Sequence, residues 1–133
     1  MKISQITFGN KIEARQDSNI KYKKEFSDNG HLLSAQEWLL PQNKPLKIER
    51  FNQNGDLLEI QEFSYFPNKT VEHYKNKYQE YTRTISEEIK NGFKHITENF
   101  ISKTTPKSNY TNETIKELSG KLVQIISNGK QLL

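Results

Sequence analysis

The feature that most restricts this chain is an internal duplication at an offset of 25 residues. Phe26-Ser-Asp-Asn-Gly30-His-Leu-Leu-Ser-Ala-Gln-Glu-Trp38 aligns with Phe51-Asn-Gln-Asn-Gly55-Asp-Leu-Leu-Glu-Ile-Gln-Glu-Phe63. Phe, Asn, Gly, Leu, Leu, Gln and Glu coincide, Trp38 is matched by Phe63, and Asn43-Lys44 falls on Asn68-Lys69. A weaker third copy lies near the C-terminus, where Gly120-Lys-Leu-Val-Gln-Ile125 echoes Gly55-Asp-Leu-Leu-Glu-Ile60. A repeated unit this short cannot bury its own apolar residues, so its copies must stack on one another.

Each unit reads as strand, tight turn, strand. Asn29-Gly30 and Asn54-Gly55 are the dipeptides that supply positive φ to two-residue hairpin turns. Alternating apolar residues flank them: Ile20 and Tyr22 before the first turn, Trp38 and Leu40 after it. Leu46 and Ile48 precede the second turn, and Leu58, Ile60, Phe63 and Tyr65 follow it. The segments 40–45 and 66–69 are return turns, in which proline costs no ladder bond.

Two readings compete in the second half. Ile85, Ile89, Phe93, Ile96 and Phe100 have helical spacing, but Asn91-Gly92 interrupts them, and Gly inside a helix costs about 1 kcal/mol. A hairpin turning at Asn91-Gly92 sets Lys90 opposite Phe93, Ile89 opposite Lys94, Glu88 opposite His95 and Glu87 opposite Ile96. It also places Tyr81, Ile85, Ile89, Ile96 and Phe100 on one face, and it is the preferred reading. Ile115, Leu118, Leu122 and Ile125 pose the same choice: strands turning at Ser119-Gly120 and Asn128-Gly129, or a helix capped by Asn112. Residues 102–111 form a loop around Pro106. The expected fold is mainly β: an antiparallel β-hairpin repeat making one twisted sheet or a thin sandwich, with a C-terminal helix as the alternative. One domain spans 1–133, with clear units at about 20–45 and 46–70 and degenerate ones at 71–101 and 112–133.

Composition narrows the function. Hydrophobic residues make up 32% of the chain, yet 11% of it is aromatic, which disordered chains are not. The expectation is a thin core in which rings and long side-chain stems cover the sheet faces, leaving surface for a partner. Without cysteine there are no disulfides, thiolate metal sites or thiol nucleophiles. No apolar run approaches the ~18–20 residues that cross a bilayer, and the N-terminus lacks the apolar stretch of a signal peptide. A soluble, cytoplasmic protein with no membrane partner is the expectation. Abundant Lys, Asn and Ile, with alanine only at Ala14 and Ala35, points to a low-GC bacterial genome. The net charge of +4 collects at the two ends, with no basic stripe between them, so nucleic acid is an unfavoured partner.

Phe26-Ser-Asp-Asn-Gly30-His-Leu32 and Phe51-Asn-Gln-Asn-Gly55-Asp-Leu57 resemble the YD repeat of bacterial Rhs-type proteins, in which Tyr-Asp is followed by two residues, Gly, any residue and Leu. Phe stands here for Tyr, and Ser27 or Asn52 for Asp. The likeness covers roughly residues 20–75 and a fragment near 118–126. It implies antiparallel sheets of hairpins, and for a short chain it implies an antitoxin-like or immunity role. The repeat carries no catalytic residue to transfer.

Chemistry is sparse in the pattern. His31, His73 and His95 show no metal-ligand spacing, and ordinary sheet-face packing accounts for each. Adjacent Glu87 and Glu88 point to opposite faces of a strand, so they cannot act as an acid–base pair. Glu59/Glu62 and Glu113/Glu117 read as solvated carboxylates. No catalytic site, metal or cofactor is therefore expected. Trp38, Phe63, Tyr65, Tyr74, Tyr78 and Tyr81 form a dense aromatic series that serves either as sheet packing or as a partner-binding surface. The leading expectation is a protein-binding inhibitor, most concretely an immunity protein neutralising a cognate toxin. Because the chain is basic, that toxin would have an acidic active-site rim or a substrate other than nucleic acid. A nucleic-acid-associated module using Lys21, Lys23 and Lys24, or a structural surface protein, is the alternative.

Overall fold

The computed structural model describes the backbone of residues 2–7, 10–128 and 130–131, and the side chains of residues 10–128. Strand order in its antiparallel sheet is sequence order, each strand pairing with the next. The strands are β1 (Lys2–Thr7), β2 (Asn10–Asp17), β3 (Ile20–Ser27), β4 (Leu32–Leu39), β5 (Lys44–Phe51) and β6 (Leu57–Phe66). They continue as β7 (Lys69–Asn76), β8 (Glu80–Lys90), β9 (Phe93–Ser102), β10 (Tyr110–Glu117), β11 (Leu122–Ser127) and β12 (Lys130–Gln131). A 3-10 turn, Pro106–Ser108, bridges β9 and β10. The hairpin-repeat expectation holds: the described strands hydrogen-bond in one antiparallel sheet. The helical alternatives give way to strands at 80–90, 93–102, 110–117 and 122–127. Among the described residues no helix is long and apolar enough to cross a membrane.

The chain divides into two compact units, one of Met1–Phe63 with Tyr74–Lys77, the other of Ser64–His73 with Tyr78–Leu133. In the first, the duplicated turns repeat bond for bond. The Ser27 amide donates to the His31 carbonyl at 2.8 Å and Gly30 donates to Ser27 at 2.9 Å. Asn52 donates to Asp56 at 2.9 Å and Gly55 to Asn52 at 3.0 Å. In the second unit Glu117 and Lys121, with Gly120, repeat the arrangement at 2.8 and 2.9 Å. This corrects the two-residue turns expected at Asn29-Gly30 and Asn54-Gly55. Only the glycines take positive φ, 84° and 85°, while Asn29 and Asn54 keep ordinary backbone angles. That is the longer loop in which a type I turn is followed by a left-handed glycine.

The Leu-Leu pair of the repeat then acquires a structural meaning. Glu25 pairs with Ser34 but Phe26 pairs with Leu32, so Leu33 is an extra residue in β4. Leu58 is extra in β6, and Val123 is extra in β11, at the same place relative to the turn. An inserted residue of this kind bends the strand and raises its twist.

Asn91-Gly92 behaves as the sequence suggests. Asn91 and Gly92 both take positive φ, 53° and 81°, and Lys90 faces Phe93 directly. Every expected pair of that hairpin is present, and Tyr81, Ile85, Ile89, Ile96 and Phe100 share a face. Asn128 also takes positive φ, whereas Gly129 lies outside the described residues.

Among the described residues no hydrophobic side chain is buried; the buried residues are Glu13, Ser27, Ser34 and Ser102. The register explains it. In the first unit Ile12, Trp38 and Ile48 point to one face, while Ile20, Tyr22, Ala35, Leu39 and Ile60 point to the other. With apolar side chains divided between two faces, stability comes from cross-strand side-chain pairs rather than from a common core.

Candidate protein-binding face

In the first unit the face bearing Trp38 is built from transverse rows of side chains. One row runs Ile12, Glu25, Ser34, Arg50, Glu59 across β2 to β6. Trp38 donates its indole N–H to Gln36 Oε1 at 3.1 Å, and Gln36 donates to Ser34 Oγ at 3.0 Å. Lys21 lies directly opposite Trp38, with its ammonium 5.9 Å from the indole centroid. Glu59 accepts from Arg50 and from the Tyr74 hydroxyl, and Tyr74 Oη accepts from Asn76 at 3.0 Å. The Tyr74 hydrogen bond, followed by the Arg50 one, holds the Glu59 carboxyl below its usual value. The same bond to Glu59 is the main cause raising the Tyr74 hydroxyl. Phe63, half-buried, belongs to this face by strand alternation with Gln61 and Glu59.

The second unit repeats the principle with other residues. Tyr81 and Phe100 have ring centroids 4.8 Å apart, and Phe100 stacks on Tyr110 at 5.2 Å with 6° between planes. Beside this three-ring ladder, Arg83 Nε donates to Glu98 at 2.6 Å and Tyr110 donates to the same carboxylate at 2.9 Å. Glu72 accepts from the Tyr81 hydroxyl at 3.1 Å and lies 3.8 Å from Arg83. Burial, and then the Glu98 bond, raises the Tyr110 hydroxyl. Burial, and then the charge of Glu72, raises Tyr65.

Five of the six aromatic residues singled out by sequence are therefore half-buried strand residues: Trp38, Phe63 and Tyr74 in the first unit, Tyr65 and Tyr81 in the second. Tyr78 differs, lying in the β7–β8 connection and 78% exposed. Sequence reading missed Phe100 and Tyr110 as ring partners of Tyr81. The signal was available in part, because the hairpin register puts Phe100 diagonally across from Tyr81.

The opposite face of the first unit holds an open hollow of about 350 Å³ over Ala35, edged by Glu13, Arg15, Tyr22, Lys24, Glu37 and Glu49. It forms because Ala35 sits mid-row between Lys24 and Glu49, where every neighbour is longer. Its charges pair locally: Lys11 with Glu13 at 3.0 Å, and the Arg15 guanidinium over Tyr22 at 4.3 Å.

The titratable groups are spread rather than gathered. His95 faces Glu88 in the register, but its ring bonds Glu113 on β10 at 3.2 Å. His73 bonds Thr82 at 2.8 Å, and His31 is exposed beside the Gly30 turn. Glu87 pairs with Lys94 and Glu88 with Lys90, on opposite faces. Glu59 faces Arg50 while Glu62 faces Lys47 on the other side of β6. No group of three or more metal-ligating side chains comes together among the described residues. Compared with family models, curated proteins and solved structures, the chain matches none.

Proposed function

We propose that this chain is a non-catalytic, cytoplasmic protein-binding inhibitor, in its most concrete form an immunity protein that neutralises a cognate bacterial toxin. The observation that carries the reading is the locking of ring polar ends on the sheet: Trp38 to Gln36, Tyr74 to Glu59, Tyr81 to Glu72. Aromatic side chains already held in one orientation lose little freedom on binding, which is what an interface anchor requires. One position of the YD-like pattern has a defined structural part in this chain. Where that repeat has Asp, Ser27 Oγ accepts from the His31 amide, and Asn52 Oδ1 accepts from Asn54 and Asp56. An aspartate could make the same bonds.

The test is co-expression with the product of the adjacent gene. Co-purification with the wild-type chain, weakened tenfold or more by Trp38→Ala, is expected if Trp38 is an anchor. Failure to bind removes the reading. A nucleic-acid-associated module is the second reading, favoured by Lys21 and Lys23 on the face of Trp38; Lys24 points away from them. Retention of single-stranded oligonucleotides that falls steeply with salt would select it.

A further inference from the structure

Three hairpin turns of the second unit open at the same end of their strands: 66–69, Asn91-Gly92 and 118–121. The Glu87 amide donates to the Asn68 carbonyl at 2.8 Å, tying the first turn to β8, and Phe93 lies opposite Glu117, beside the third. Six large apolar side chains are exposed there: Phe66, Ile89, Phe93, Leu118, Leu122 and Val123, between 38% and 64%. They lie on turns or in the strand residues next to them.

Cations accompany them. Lys69 lies over the Phe66 ring at 5.0 Å. Across β8 to β11 one row reads Ile89, Lys94, Lys116, Leu122, so two lysines stand directly opposite each other between apolar neighbours. Like charges so placed are destabilising. Glu87 relieves Lys94 at 3.4 Å, while Lys116 has no ion pair among the described residues. Lys69, Lys90, Lys94, Lys116 and Lys121 against Glu87, Glu88 and Glu117 leave this end with two net positive charges.

The make-up of the patch bears on what covers it. Lys94 and Lys116 stand within the row of apolar side chains, whereas the core of a stable protein interface is depleted in lysine. At a bilayer surface each apolar side chain that enters contributes separately and each nearby lysine adds attraction to anionic lipid. We propose that this end of the second unit docks on an anionic lipid surface, its hairpin tips entering the headgroup–acyl boundary and Lys94 and Lys116 meeting lipid phosphates. Such attachment needs no spanning segment, and it departs from the expectation of no membrane partner.

Flotation of the full chain with vesicles tests it. Vesicles of phosphatidylcholine with phosphatidylglycerol should carry the protein up, and phosphatidylcholine alone should carry far less. The Ile89→Ser/Leu118→Ser double variant should partition about tenfold or more less well. Lys116→Glu should lose severalfold on anionic vesicles with no change on neutral ones. Circular dichroism and the urea midpoint establish that each variant keeps the fold. Wild-type protein that stays with the aqueous fraction, or folded variants that float like wild type, overturns the proposal. A stoichiometric complex with an acidic protein, lost in the same variants while vesicles are ignored, also overturns it.

Discussion

Tyr74 donates its hydroxyl to Glu59, a carboxylate that also accepts from Arg50 on the preceding strand. Because the folded Glu59 titrates below its ordinary value, its contribution to stability is complete above that value and is lost as pH falls through the depressed one. Tyr74 is raised, so its share is complete below the ordinary tyrosine value and is lost as pH rises through the folded one. Tyr74→Phe should therefore cost about 1 kcal/mol at neutral pH and less in acid. Urea midpoints for both proteins at the two pH values check this.

The two kinds of Asn-Gly turn should respond differently to substitution. Asn91 has φ 53°, whereas Asn29 keeps ordinary backbone angles. Asn91→Ala should cost about 1 kcal/mol of backbone strain, and Asn29→Ala distinctly less. Gly30→Ala and Gly92→Ala should both cost about 1–2 kcal/mol through torsion alone, since an added Cβ meets no atom within 4 Å at either place. Equal losses for the two asparagines in equilibrium unfolding would contradict the assignment.

Phe100 is the middle ring of the Tyr81–Phe100–Tyr110 ladder. Phe100→Ala should remove both ring contacts and cost about 2–3 kcal/mol, more than truncating either outer ring. Thermal unfolding of the three alanine variants gives the order directly.

Asn112 holds a buried side-chain oxygen with no hydrogen-bond partner among the described residues, in a row between Glu98 and Ser127. Replacing an unsatisfied amide by a β-branched apolar residue should help a strand. Asn112→Val is expected to raise stability by about 1 kcal/mol, read as a higher urea midpoint.

Much of the fold was legible because turn chemistry and strand alternation are local. Asn91-Gly92 set a whole register, since a two-residue loop leaves no freedom in the pairing beyond it. The Gly30 and Gly55 turns were located but misjudged in type, because Asn-Gly suits two loop lengths and the choice depends on the strands outside the turn. Of the candidate site, the ring-bearing residues could be named from sequence. Their hydrogen-bond partners could not, since Gln36, Glu59, Glu72 and Glu98 are unremarkable polar residues until a register aligns them.

The duplicated Phe-x-x-Asn-Gly-x-Leu-Leu pattern by itself determined that this chain would be made of antiparallel hairpins, because left-handed glycines and alternating strands admit little else. Which side chains share a face was decided only in the tertiary structure. Leu33, Leu58 and Val123 each insert one residue into a strand, and with a side-chain period of two a single insertion changes which residues share a face beyond it. Apolar residues are thereby divided between faces, and six of the exposed ones are gathered at one end of the second unit. That outcome depends on pairing between strands, which the sequence of any one strand does not contain.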